Sequence, residues 1–150
     1  MIIKLIGAAT IISVGIVIGN SLYYIFSERI KILERFMSFV IFCESEIEYY
    51  KTEMNDIIEK FINNQSKYDD LIFKKDKKTF YITNDNKKII DLFFTDILTL
   101  DSDTQKYFFS KTKNDLTIAL NNAKNDLTVK GKMFKKLIPI ASIGIVILIL

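Results

Sequence analysis

The chain has 150 residues, 49% hydrophobic and 26% charged, with a formal net charge of +3. That length suits one domain of ordinary size, the split suggests apolar ends on a polar middle, and the charge is too small to argue for nucleic acid. The absence of His and of any phosphate loop or Cys/His metal spacing leaves no catalytic constellation, no metal site and no cofactor to expect.

The first predicted element is a membrane span. Leu5 to Phe26 is 22 residues without a charge. As a helix it covers about 33 Å, enough for a hydrocarbon core of roughly 30 Å. Gly15 and Gly19 form a G-x-x-x-G that would let another helix approach closely. Tyr23, Tyr24 and Phe26 stand where an interfacial aromatic belt belongs. A signal peptide is the rival reading, because Lys4 precedes the apolar core. The core is long for that role and no A-x-A site follows it, so a retained anchor is expected.

A helix over SERIKILERFMSFVIFCESEIEYY comes next. Its predicted apolar face holds Ile30, Leu33, Met37, Val40, Ile47 and Tyr50, at spacings of three and four. Cys43 cannot form an internal disulfide and reads as a small buried hydrophobe. In TEMNDIIEKFI, Met54, Ile57, Ile58, Phe61 and Ile62 again share a face, with Thr52 as candidate N-cap. A connection follows, holding one short helix around residues 68–73. A strand over Thr79 to Thr83 has the right composition but no mate.

Ile89, Ile90, Phe93, Phe94, Ile97 and Leu98 predict an amphipathic helix capped by Asn84 or Asp85. Leu100 to Asp103 reads as a turn. A long helix from about Thr104 carries Phe109, Leu116, Leu120, Ala123 and Leu127 on one face. Amphipathic helices with short links predict an all-α bundle. The final apolar run, Leu137 to Leu150, is 14 residues and short for a span. Met133, Phe134 and the snorkelling Lys135 and Lys136 lengthen it to about 27 Å. Pro139 lies in its first turn and would start or kink the helix. Its expected partner is the first span.

The predicted organisation is therefore a transmembrane anchor at 1–26, a cytoplasmic bundle at 27–136 and a C-terminal transmembrane segment at 137–150. Orientation follows from the basic residues. Lys4 alone precedes the first span, and Arg29, Lys31 and Arg35 follow it. Lys124, Lys130, Lys132, Lys135 and Lys136 precede the second. Both biases put the middle in the cytoplasm and make the spans antiparallel.

Two charged clusters stand out as partner-binding candidates. Glu44, Glu46, Glu48 and Glu53 form an acidic patch that would suit a cation or a partner, against the plainer reading of a solvated face. Lys74, Lys75, Lys77 and Lys78 form a basic loop that would dock an acidic protein, against the plainer reading of an exposed loop. Lys130, Lys132, Lys135 and Lys136 make a membrane collar for orientation and lipid headgroups.

On these pieces the chain resembles stage III sporulation protein AB. The resemblance is carried by the N-terminal MIIKLIGAATIISVGIVIG, Glu28-Arg29, the E-x-E-I of Glu44 to Ile47, and Lys132-Met133 with Lys136-Leu137 before the tail. The sequence departs from the family at Ile30, where a proline is expected, and at Thr99-Leu100, where Leu-Gly is expected. Residues 63 to 84 are short. The resemblance implies a platform component, not an enzyme, of the complex joining mother cell and forespore. Its location would be the mother cell membrane around the forespore, with the central domain cytoplasmic. Its helical domain would be similar to those of type II secretion F platform proteins. The implied partners are a stage III sporulation protein AA-type ATPase, other stage III sporulation membrane proteins and membrane lipids, with no nucleic acid; an oligomer is compatible with this reading. The alternative is a membrane-anchored adaptor of another secretion or pilus system.

Overall fold

The computed structural model describes residues 2–50, 53–63, 66, 68–73, 81–97 and 102–149. Among them every regular element is helical: α1 (Ile2–Ser45), a π-helical turn (Glu46–Tyr50), α2 (Met54–Ile62), α3 (Asp69–Phe73), α4 (Asn84–Asp96), α5 (Ser102–Asp126), a second π-helical turn (Leu127–Gly131) and α6 (Lys132–Ile149). The chain forms two compact units, one from residues 1–28 with 123–150 and one from 29–122. The boundaries expected from sequence lay at 26 and 136.

In the second unit the expected faces turn inward, buried at Ile30, Leu33, Val40, Ile57, Phe61, Ile90, Phe93, Ile97, Phe109 and Leu116 but only half-buried at Met37, Met54, Ile58, Ile62, Ile89, Phe94 and Leu120, and the core extends beyond them. Ile32, Leu33, Phe36, Phe39, Val40 and Cys43 of α1 are fully buried; Ile57 and Phe61 of α2, Ile72 of α3, Ile90 and Phe93 of α4, and Phe109 and Leu116 of α5 are buried with them. Phenylalanine sets the geometry of this core. The Phe39 ring stands edge-on to Phe61 and Phe73, at 5.1 and 4.8 Å between centroids. Phe93 stands edge-on to Phe36 at 5.5 Å and stacks on Phe108 at 5.8 Å. Edge-to-face and offset rings avoid the repulsion of a face-to-face sandwich, so such contacts add to the area term.

Several sequence expectations are corrected. Tyr50 is 73% exposed, and Ile47 is only half-buried. The chain passes into the π-helical turn after Ser45, and its wider spacing breaks the 3.6-residue register that would have carried the face onward. The cap of α4 is Thr83, not Asn84 or Asp85. Its side chain accepts from the Asn86 amide at 3.5 Å, one of the orphan donors of the first turn. Ser102 already belongs to α5, so the expected turn does not reach Asp103. Tyr81 to Thr83 form a turn and the cap, not strand. Thr52, Thr79, Phe80 and Leu98 lie outside the described residues.

Among the described residues only α1, continued through the π turn as Lys4–Tyr50, is long and apolar enough to cross a membrane; 11% of its apolar window is buried. A core helix of a soluble protein would be covered, and this one is not. The second span expected from sequence does not meet that measure, since α6 carries Lys132, Lys135 and Lys136 among its 18 residues. The helix runs unbroken through Pro139.

Candidate functional site

The first unit is a close helix pair. Gly15 and Gly19 are both buried. A Cβ placed on Gly15 would collide with the Ser142 side chain, and one on Gly19 would sit 3.3 Å from the Phe134 carbonyl. On the other helix, Gly131 is buried, with Tyr23 and Phe26 each 3.5 Å from where its Cβ would be. Gly15 thus faces Ser142, Gly19 faces Phe134 and Lys135, and Tyr23 faces Gly131. Numbers rise on one helix as they fall on the other, so α1 and α6 run antiparallel, and the G-x-x-x-G is their contact face.

The pair has a local chemical logic. Pro139 has no N–H, so the Lys135 carbonyl four residues earlier loses its helical donor. That carbonyl oxygen lies 3.5 Å from the position of a Gly19 Cβ, in van der Waals contact, and the Phe134 carbonyl is tighter at 3.3 Å. Ser142 satisfies its hydroxyl by donating to the Ile138 carbonyl at 2.9 Å. Lys135 Nζ lies over the Tyr23 ring at 4.9 Å from the centroid, a cation–π contact at the aromatic belt. Lys130 pairs with Asp126 at 2.7 Å, while Lys132 and Lys136 are exposed. The four collar lysines therefore fall into three settings, Lys130 in the second π-helical turn and the other three in the first turns of α6.

In the second unit the acidic cluster is partly spent on the bundle itself. Glu44 accepts from Lys113 Nζ at 2.8 and 2.7 Å, Glu46 from Lys60 at 2.8 Å, and Glu48 lies 3.2 Å from Lys106. Glu53 is exposed just before α2. The carboxylates do not converge: no group of three or more metal-type side chains could hold an ion among the described residues. Lys74, Lys75, Lys77 and Lys78 lie outside the described residues.

Sequence reading missed two polar anchors. Arg35 grips Asp69 through two bonds, Nε to Oδ1 at 2.8 Å and Nη2 to Oδ2 at 3.1 Å, and Nη2 also reaches the Phe61 carbonyl at 3.3 Å. Its guanidinium stacks over the Phe61 ring at 3.9 Å. Asp69, 4% exposed, also accepts from the Ser66 amide at 2.9 Å. Arg29 Nε and Nη2 donate to Asn86 at 3.0 and 3.3 Å, once the Asn86 amide is turned to present its oxygen. Both arginines flank the apolar face of α1, a spacing that hints at anchors without naming the partner. Cys43 is buried as expected. Burial pushes its thiol up, and the Glu46 carboxylate adds to the push.

The family model of stage III sporulation protein AB matches residues 4–75 of this chain. That segment holds the apolar span, Glu28-Arg29, the acidic cluster, α2 and α3, and it bears out the sequence resemblance there. No curated protein and no solved structure matches the chain.

Proposed function

We propose that this chain is a non-enzymatic membrane platform component of the mother cell–forespore sporulation channel complex, engaging a secretion-type ATPase in the mother cell cytoplasm. The observation that carries the reading is the family match over residues 4–75, which brings a sporulation-related role to a chain whose α1 suits a membrane. A platform needs an anchor and a folded bundle with charged faces. α1 supplies the first and the phenylalanine-centred unit the second. On this reading α1 and α6 both enter the bilayer, residues 27–136 lie in the cytoplasm, and the bundle resembles secretion F platform domains in role.

The proposed ATPase contact is electrostatic, through Glu44, Glu46, Glu48 and Glu53 and the lysines at 74, 75, 77 and 78. The Glu44 and Glu48 pairs are partly or well exposed, whereas the Glu46 carboxylate in its pair with Lys60 is mostly covered. Exposed pairs contribute about 0–1 kcal/mol, so a partner's cations can compete for Glu44 and Glu48.

Co-purification from membranes of sporulating cells, with this chain as bait and mass spectrometry as readout, tests the proposal. Recovery of the stage III sporulation protein AA-type ATPase, lost on charge reversal at both patches, is the expected result. Recovery of only unrelated membrane partners, from a chain also present in vegetative cells, would replace the reading with an adaptor of another secretion or pilus system.

A further inference from the structure

The part of α1 that enters the bilayer has two chemically different sides. One carries Gly15 and Gly19 and is covered by α6. The polar side chains Thr10, Ser13, Asn20, Ser21 and Tyr24 fall on the other. At 100° per residue they occupy an arc of about 100°, centred opposite the glycines. The surface that α6 leaves open is different: Leu137, Ile140, Ile143, Ile145, Ile147 and Leu148 are all apolar and exposed. Lipid suits that surface. It does not suit the polar arc.

Most of the arc looks after itself. Thr10 donates to the Gly7 carbonyl at 2.7 Å, Ser13 to Ala9 at 2.8 Å and Ser21 to Val17 at 2.8 Å. Short hydroxyl side chains can do this in a helix. An asparagine amide carries two donors and an acceptor. Asn20 is exposed, and among the described residues nothing hydrogen-bonds its side chain. It lies inside the tyrosine belt, about 9 Å along the helix from Phe26. In hydrocarbon an unpaired amide is costly.

We infer that the Thr10–Ser13–Val17–Asn20–Tyr24 face of α1 is a homotypic contact, joining two copies of this chain in parallel through an Asn20–Asn20 amide pair. The inference rests on the reading of α1 as a membrane span. Three observations select a second copy. The arc follows spacings of three and four, the period of a left-handed helix pair. An amide is its own complement, since each supplies the donor the other lacks. Copies inserted the same way place Asn20 at the same depth, so a two-fold axis along the membrane normal brings the two amides together without adjustment. The same face remains available while α6 occupies the glycine side, so each copy keeps its internal pair.

Oxidative cross-linking of the full chain in membranes tests this. Wild type supplies the background, because its one thiol is sealed in the bundle. Ser13→Cys, Val17→Cys and Tyr24→Cys are expected to give a disulfide-linked dimer. Ile16→Cys and Ile18→Cys, on the flanks, are not. Adding Asn20→Leu to Val17→Cys should lower the dimer yield about tenfold, and Asn20→Gln should retain it. Carbonate extraction is run on the same membranes. A chain released by carbonate overturns both the span and the dimer. An embedded chain with no dimer at the three stripe positions, equal yields at all five, or cross-links to a different protein overturns the dimer alone.

Discussion

At the scale of single residues, the helix pair and the bundle are held by side chains whose removal has calculable consequences. Gly15 has no room for a Cβ against Ser142, whereas Gly7 has nothing within 4 Å. Gly15→Leu should therefore cost about 1–3 kcal/mol of overpacking and lower the melting midpoint of the detergent-solubilised chain. Gly7→Leu, the same chemical change in open space, should leave it unchanged or raise it slightly, because leucine is the better helix former. Asp69 is 4% exposed and held by the Arg35 fork. Asp69→Ala leaves Arg35 facing the Phe61 ring with no anion. Loss of one partner of a fully buried pair costs roughly 3–5 kcal/mol; Arg35 keeps a solvent-facing edge at 20% side-chain exposure, so about 2 kcal/mol is expected in a denaturant melt. Cys43 gives a pH dependence of known sign. Its folded-state pKa is raised by burial, so above about pH 8.5 the unfolded chain releases a proton that the folded chain retains. Stability is then undiminished below that pH and falls as pH rises, by up to about 1.4 kcal/mol per unit. Cys43→Ala should remove this slope, as read from melts of the two chains between pH 8 and 10.

At the scale of elements, what the sequence made legible and what it hid divide along a physical line. Properties of one helix were legible. The uncharged run of α1, the faces of α2 and α4, and the Phe109 and Leu116 side of α5 follow from spacing alone, because a 3.6-residue period is a local signal. The glycine pair was legible as a contact face because small residues four apart have few other uses in an apolar helix. The breadth of the α1 core face was underestimated: Phe36, Phe39 and Cys43 are buried because four other segments of the bundle surround that stretch, and periodicity does not report how many neighbours a helix has. Arg35 and Asp69 are 34 residues apart, and Lys113 and Glu44 are 69 apart. No local pattern links such positions. The register change at Glu46–Tyr50 was hidden for the opposite reason. It is a local departure from the ideal helix, with no Pro or Gly to announce it. The candidate site shows the same division: the acidic cluster was visible as a cluster, while its engagement with Lys60, Lys106 and Lys113 needed the fold.

At the scale of the whole molecule, charge and apolarity are sorted along the chain, and the proposed orientation rests on that sorting. The exposed surface of the first unit is apolar over Val14, Ile16, Val17 and Ile18 on α1 and over Leu137 to Leu148 on α6. The four collar lysines lie in the second π-helical turn and the first turns of α6, and Arg29, Lys31 and Arg35 follow the apolar part of α1. Basic residues near span ends are retained on the cytoplasmic side because translocating them is unfavourable, and anionic headgroups there favour them further. On the proposed two-span reading both basic clusters carry the same instruction, so the spans would agree instead of competing. Tyr107, 73% exposed on α5, offers a reporter in the second unit. A Tyr107→Cys chain should react with a membrane-impermeant maleimide in inside-out vesicles and stay unlabelled in intact cells. Replacing Lys130, Lys132, Lys135 and Lys136 by Gln removes one of the two instructions and leaves the arginines of α1. Labelling in intact cells should then rise only modestly, because on the proposed reading the first span still fixes its own orientation, while α6 loses its anchor to the headgroups. If the quadruple variant instead inverted completely, α6 and its collar would be the element that sets topology, and α1 would follow it.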